Sequence, residues 1–184
     1  MQAASFEALY SAFSRMHVQK TWDGIMNAPV GLDDIVLAEM LWAATKSLIS
    51  ATAILLVLFG LGIGLHPTAL LVLPLLFLIG MTFASIALIV NALAKAYDFF
   101  TYYFTLFLTP MMFLSGIFFP LDTLPEMVRW IANALPLTQA VALVRPLFLD
   151  QWPSNVLLHV GILVVYGAGS WLIALHLTRK RFKQ

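Results

Sequence analysis

Apolar positions in this chain come in long unbroken runs rather than in strict alternation. Residues 47–65, 67–94, 99–121 and 151–178 contain no Lys, Arg, Asp or Glu. A helix crossing a hydrocarbon core of roughly 30 Å needs about 20 largely apolar residues. The pattern therefore predicts four spanning helices, over about 42–65, 68–94, 99–119 and 155–178. The pattern changes between the last two. Leu124, Val128, Ile131 and Leu135 recur at steps of four, three and four, with Glu126, Arg129 and Asn133 on the other face, which is the spacing of an amphipathic helix. Pro125 and Glu126 suit its first turn, Pro136 stops it, and a second apolar stretch, Leu137 to Leu149, follows. The charge-free piece from Trp130 to Val144 is too short to span. Residues 120–150 thus read as an outer helical pair, either a re-entrant hairpin or two helices resting flat on the outer surface.

Residues 1–41 read as a cytoplasmic or interfacial segment. Glu7, Asp23, Asp33, Asp34 and Glu39 fall there, with Asp98 nearby, so this part is expected to face water. Thr21 is a good helix cap, Asp23 sits in the first turn where the dipole favours a negative charge, and Pro29 and Gly31 end the helix. The result is a two-turn helix over about 21–29 with Trp22, Ile25 and Met26 on one face. It either rests on lipid or offers a tryptophan-anchored knob to a soluble partner. Asp33 and Asp34 are adjacent, point apart on a helix and have no nearby His, so they mark a helix start rather than a metal site.

Composition agrees with the pattern: 61% of residues are hydrophobic, 10% are charged, and the mean hydropathy is +0.92. A soluble domain carries about 25% charged residues. The fold class expected is all-α, a polytopic membrane helix bundle forming one domain over 1–184 with a basic tail at 179–184. The net charge of +1 gives no reason to expect nucleic acid, and zero cysteines exclude disulfides and thiolate chemistry. No cleavable signal peptide is visible in the first fifteen residues. Placing both termini in the cytoplasm puts Arg15, Lys20, Lys46, Lys95, Arg179, Lys180, Arg181 and Lys183 inside and only Arg129 and Arg145 outside, as the excess of cytoplasmic basic residues requires. His66 and Pro67 then make a short outer turn, and Lys95, Ala96, Tyr97 and Asp98 a short inner one. Trp42, Phe99, Phe100, Tyr102 and Tyr103 suit the interface. Pro74 and Pro110 are expected to kink their spans, and Gly60, Gly62 and Gly64 to allow close helix packing.

Candidate chemistry is sparse. No Walker A, HExxH, GxSxG or paired Cys motif occurs, so neither catalytic residues nor metal ligands are expected. His159 and His176 in the last span read as packed side chains ahead of functional ones. Asn91, Tyr97, Asp98, Tyr102 and Tyr103 form a possible path for a polar or sugar-bearing substrate, although an interface belt explains the aromatics equally. Gly116, Pro120, Glu126, Arg129, Pro136 and Arg145 are the candidates for an outer gate.

Two stretches carry a resemblance: QKTWDGIMNAPVGLDDIVLAE at 19–39 and LTPMMFLSGIFFPLDTLPEMVRWIANALPLTQAVALVRPL at 108–147. They resemble the permease subunits of type-2 ABC exporters, nearest the branch of nodulation-factor (lipooligosaccharide) export permeases. The resemblance implies a multi-pass subunit of the bacterial inner membrane, both termini cytoplasmic, without an ATPase site of its own. It also implies homodimerisation, docking onto a separate ABC ATPase that binds ATP and Mg, contact with membrane lipid, and export of an amphipathic, glycan-bearing or lipid-linked molecule or drug. The coupling helix of such permeases corresponds here to Thr21, Trp22, Asp23, Gly24, Ile25, Met26, Asn27, Ala28 and Pro29. A cytosol-facing peg anchored by Trp22 would pass work from the ATPase into the bundle. The family has six spans and this chain matches the last four, with residues 1–14 resembling the inner end of the second, so a fragment or a late start is expected. Two other readings stand beside it. One is an intramembrane lipid-modifying enzyme using Asp33, Asp34, His159 and His176, and the other a non-transporting scaffold.

Overall fold

The computed structural model describes residues 1–62 and 66–183. Among these, every regular element is helical. Gly64 and the last residues of the first expected span lie outside the described residues.

Helix α1 covers residues 2–18, starting as Gln2–Phe6 and continuing through π-helical turns at Glu7–Ser11 and Ser14–Val18. A short α2 follows (Thr21–Ile25), then α3 (Leu32–Gly60) and, after a 3₁₀ turn at Pro67–Leu71, α4 (Val72–Leu93). Helix α5 covers 98–114, with a π-helical middle at Tyr103–Leu108. The chain then forms α6 (Glu126–Ala134), α7 (Pro136–Phe148) and α8 (Val156–Phe182).

Three helices are long and apolar enough to cross a membrane: Leu32–Gly60, Thr68–Leu93 and Val156–Phe182. The bent pair α6–α7 makes a fourth if taken as one span. The first of these begins at Leu32 rather than near residue 42, because Asp34 starts it: its Oδ2 accepts the Gly31 N–H at 3.0 Å. The third expected span ends as a helix at Leu114, where Gly116 turns the chain with a φ of +78° that few other residues adopt.

Helix α4 runs between α3 and α8, antiparallel to α3 and parallel to α8: Thr82 meets Leu163, and Asn91 and Ala92 meet Arg181 further along both helices. Its Gly80 meets α3 so closely that a Cβ there would lie 3.1 Å from the Ala44 Cα and 2.5 Å from the Ser47 Oγ. On its other side Thr82 donates to the Leu163 carbonyl at 3.1 Å, facing Gly167 of α8. Small residues let the backbones approach, which is how helices gain packing energy when the solvent is lipid. The outward apolar side chains of α3 and α8, such as Ile49, Leu56, Val165 and Leu172, are exposed as a lipid-facing surface requires.

Two expectations are corrected here. The first is that α1 does not face water: Ala4, Ala8, Leu9, Ala12, Phe13 and Met16 are buried against α3, α4 and α5. Gly60 and Gly62 have no neighbour within 4 Å of a would-be Cβ, so they terminate α3 instead of packing it. Pro74 stands where the 3₁₀ turn of Pro67–Leu71 passes into α4, so its missing N–H falls at a change of helix type. Pro110 follows the π-helical turn of α5, and Thr109 Oγ1 donates to the Phe104 carbonyl at 2.9 Å.

Candidate functional site

α3, α4 and α8 run lengthwise through the bundle, which gives it two ends. One carries α2, the α4–α5 turn and the basic tail; the other carries the α6–α7 elbow. At the basic end, α2 starts after Lys20, which holds a left-handed φ of +50° and caps the helix in place of Thr21. It is a single turn, since Met26 and Asn27 leave the helix in turns ahead of Pro29. Asp23 lies in its first turn as the dipole favours.

Trp22 is the main departure. It is 2% exposed, its Nε1 donates to Glu39 Oε1 at 3.0 Å, and its ring stacks on Phe182 of α8 at 6.1 Å. The tryptophan therefore points into the bundle and is withdrawn from any outer face. Thr21, Asp23, Gly24, Ile25, Asn27, Ala28 and Pro29 remain exposed and Met26 is half-buried. Of these, Ile25 lines a shallow cavity of about 360 Å3, together with Val30, Asp34, Ile35 and Trp42.

What fixes this rim is a charge network that sequence reasoning missed. Arg15 Nε and Nη2 donate to the two Glu39 oxygens at 2.8 and 2.5 Å, and Nη2 also reaches Glu7 Oε1 at 3.1 Å. Lys46 Nζ, Ser11 Oγ and Trp42 Nε1 complete the shell of Glu7 at 2.7, 2.8 and 3.0 Å. Burial pushes the Glu7 carboxyl up, but hydrogen bonds from Lys46, Ser11 and Arg15 outweigh it and hold the group below its ordinary range. Two carboxylates face two cations, so buried charge is compensated inside the cluster. The available signal was the acid Glu39 recurring two turns before the base Lys46 on one helix.

The basic tail is partly structural. Arg179 pairs with Asp33, and Arg181 caps α4 by donating to the carbonyls of Asn91, Ala92 and Ala94 at 3.0, 3.0 and 2.7 Å.

The possible substrate path does not come together. Asn91 is 1% exposed and its Nδ2 donates to the Ala8 and Leu9 carbonyls at 2.8 and 3.3 Å, next to the π-helical turn of α1. It is a clasp between helices. Tyr97 packs on Tyr10 and Phe13, and Tyr103 is buried with its OH 3.3 Å from Ser5 Oγ. Asp98 and Tyr102 are exposed. Tyr102 and Tyr103 do share a largely apolar surface cavity of about 310 Å3 with Phe99 and Phe107, but Asn91 and Asp98 are not in it.

At the other end α6 and α7 meet at 82°, broken at Leu135 by Pro136, which opens α7 as its first residue. Tyr166 of α8 donates to the Ala134 carbonyl at 2.9 Å, and Thr68 Oγ1 to the Leu147 carbonyl at 3.1 Å. Arg145 Nη2 donates to the Gly116 carbonyl at 2.7 Å. Of the gate candidates, Gly116, Pro120 and Arg145 line one cavity; Glu126 is exposed on α6, Arg129 is half-buried and Pro136 is buried in the elbow. His159 meets Gln139 Oε1, so it is a packed side chain as expected, whereas His176 is exposed. Asp33 and Asp34 sit at the basic end, as does His176 three residues before Arg179, whereas His159 lies at the elbow end, so the four residues named for an intramembrane enzyme are not brought together. Among the described residues no group of three or more His, Cys, Asp or Glu is arranged to hold a metal ion.

Comparison with known proteins gives consistent relatives. The family profile described as ABC-2 type transporter matches residues 2–149. Nodulation protein J of Bradyrhizobium diazoefficiens is 43% identical over 181 residues, covering 98% of this chain and 69% of the relative. Nodulation protein J of Rhizobium leguminosarum bv. viciae is 43% identical, covering 98% and 70%, and that of Neorhizobium galegae is 38% identical over 184 residues, covering 100% and 70%. No solved structure matches the chain.

Proposed function

Because the chain belongs to the ABC-2 type transporter family, as the transmembrane subunit of an ABC exporter, we propose that it is driven by a separate ATP-binding cassette protein docking on the exposed rim of α2. ATP and Mg bind on that partner. Thr21, Asp23, Gly24, Ile25, Asn27, Ala28 and Pro29 make the contact surface, with Met26 at its edge and Trp22 holding it from behind. The observation that carries the reading is Ile25: an aliphatic side chain 41% exposed at the tip of a turn whose neighbour is pinned into the bundle. An apolar side chain on a fixed support makes a good interface anchor, because little entropy is lost when it docks.

The basic residues at this end support an inner-membrane orientation with α2 and both termini in the cytoplasm and the elbow outside. Similarity to the Nodulation protein J relatives supports an amphipathic, glycan-bearing or lipid-linked cargo. Two copies of the chain in contact with lipid form the transport unit, and ATP binding on the partner shifts it between inward-open and outward-open states.

Ile25→Asp tests the docking surface. It places a charge in an apolar contact without touching the Trp22–Glu39 bond, so the ATPase recovered by co-purification should fall about tenfold or more. The subunit's own thermal stability should stay within about 0.5 kcal/mol of wild type, as for other surface changes. Undiminished co-purification sinks the docking assignment.

A further inference from the structure

The elbow end holds a cavity that the docking surface does not use. It has a volume of about 370 Å3 and lies between α7, the start of α8 and the turn at Gly116, with Ser115, Asn133, Thr138, Gln139, Arg145 and His159 among its walls. That is the size of a small ligand site.

Thr138 is 5% exposed and its Oγ1 is enclosed with no hydrogen-bond partner among the described residues. Leaving a buried hydroxyl without a partner is unfavourable, and buried polar groups are nearly always satisfied. Arg145 stands seven residues further along the same helix, two turns on, so both side chains share a face of α7. Its Nη2 is occupied by the Gly116 carbonyl at 2.7 Å, while Nε and Nη1 have no partner among the described residues. Thr138 is also the third residue of α7, a helix of 13 residues, so it sits at the positive helix end where free backbone N–H groups favour an anion. The described lining contains no Asp or Glu.

Gln139 stiffens one wall: its amide nitrogen donates to the Asn133 carbonyl and its oxygen meets His159 Nδ1. Leu121, Val141 and Ala142 supply apolar walls, and exposed Phe118 and Phe119 follow the Gly116 turn in sequence. From a free cationic edge, an unpartnered hydroxyl and a positive helix end with apolar borders, we infer that this cavity binds the anionic, phosphate-type head group of an amphipathic molecule. Arg145 and Thr138 are the recognising residues. The inference concerns binding by the subunit alone, so it succeeds or fails separately from ATPase docking on α2.

The test uses the purified full chain in a neutral maltoside detergent, without partner, with native mass spectrometry reading bound ligand. Dioctanoyl phosphatidic acid is the probe, and dioctanoylglycerol and inorganic phosphate are the comparisons. Phosphatidic acid should bind clearly above both. Arg145→Gln should weaken it about tenfold or more, as expected for a lost charge-assisted hydrogen bond, and Arg145→Lys should retain most of it. Arg145→Gln also removes the bond to Gly116, so Thr138→Val provides the second arm. It keeps side-chain shape and the Gly116 contact, and should weaken binding several-fold while leaving thermal stability equal or higher. The source of the head group is read separately. An anionic phospholipid retained through purification by the wild type and lost in Arg145→Gln identifies a membrane lipid, whereas phosphatidic acid that raises ATP hydrolysis by the assembled transporter, and fails to in Arg145→Gln, identifies a cargo-like ligand. Equal affinity of wild type, Arg145→Gln and Thr138→Val, or equal binding of dioctanoylglycerol, overturns the proposal.

Discussion

Trp22 shows how much one side chain decides at the basic end. Its ring is buried on Phe182 and its N–H serves Glu39, so two substitutions separate packing from hydrogen bonding. Trp22→Phe keeps a ring on Phe182 and deletes the donor, and should cost about 1–2 kcal/mol. Trp22→Ala also opens a cavity and should cost about 3–5 kcal/mol. Reversible denaturant or thermal unfolding in detergent measures both, and an equal, small loss in the two would remove Trp22 as a structural pin. The sequence suggested an exposed anchor because a tryptophan next to Ile25 and Met26 has the composition of an interface. What it hid was the partner: Glu39 lies 17 residues on and Phe182 near the other end of the chain, and no local pattern brings three such positions together. Asn91 misled for a related reason. A lone amide in an apolar run signals function in a membrane, but here it answers the backbone carbonyls of Ala8 and Leu9 beside a π-helical turn that periodicity does not reveal.

At the scale of elements, runs of apolar residues were readable and their contacts were not. The long helices and the Pro136 break follow from the absence of charge and from proline's missing N–H. The start of α3 was read ten residues late, because its first turns carry Asp33, Asp34 and Glu39, which look like a soluble segment until Arg179 and Arg15 are seen to face them. The glycine run at Gly60 attracted attention as a packing motif, yet the close approach belongs to Gly80, which stands alone in sequence between Ile79 and Met81. Gly80→Ala pushes a methyl against Ala44 and Ser47, and overpacking of this kind costs about 1–3 kcal/mol. Gly60→Ala meets open space and should leave stability unchanged or slightly raised. Parallel melting curves of the two variants check the contrast, and Ser47→Gly should recover part of the Gly80→Ala loss.

For the whole molecule, the orientation proposed from the count of basic residues is one that a simple experiment reads. The chain has no cysteine, so single cysteines can be introduced without background. Asn27 and Thr123 are both exposed, at opposite ends of the bundle. A membrane-impermeant maleimide added to intact cells should label Thr123→Cys at once and Asn27→Cys only after the membrane is opened. The reverse result would turn the molecule over and place α2 out of reach of any cytoplasmic ATPase. Membership of the exporter family stands on similarity along nearly the entire chain, so it does not depend on the part first assigned to Trp22.

Helix α3 begins directly below the pinned turn and extends for 29 residues, about 43 Å at 1.5 Å per residue. Its foot is gripped at Glu39 by Trp22 and Arg15. A lever of that length converts a lean of about 5° at the base into a sweep of about 4 Å at its tip, enough to move a side chain in or out of a gap on the opposite side.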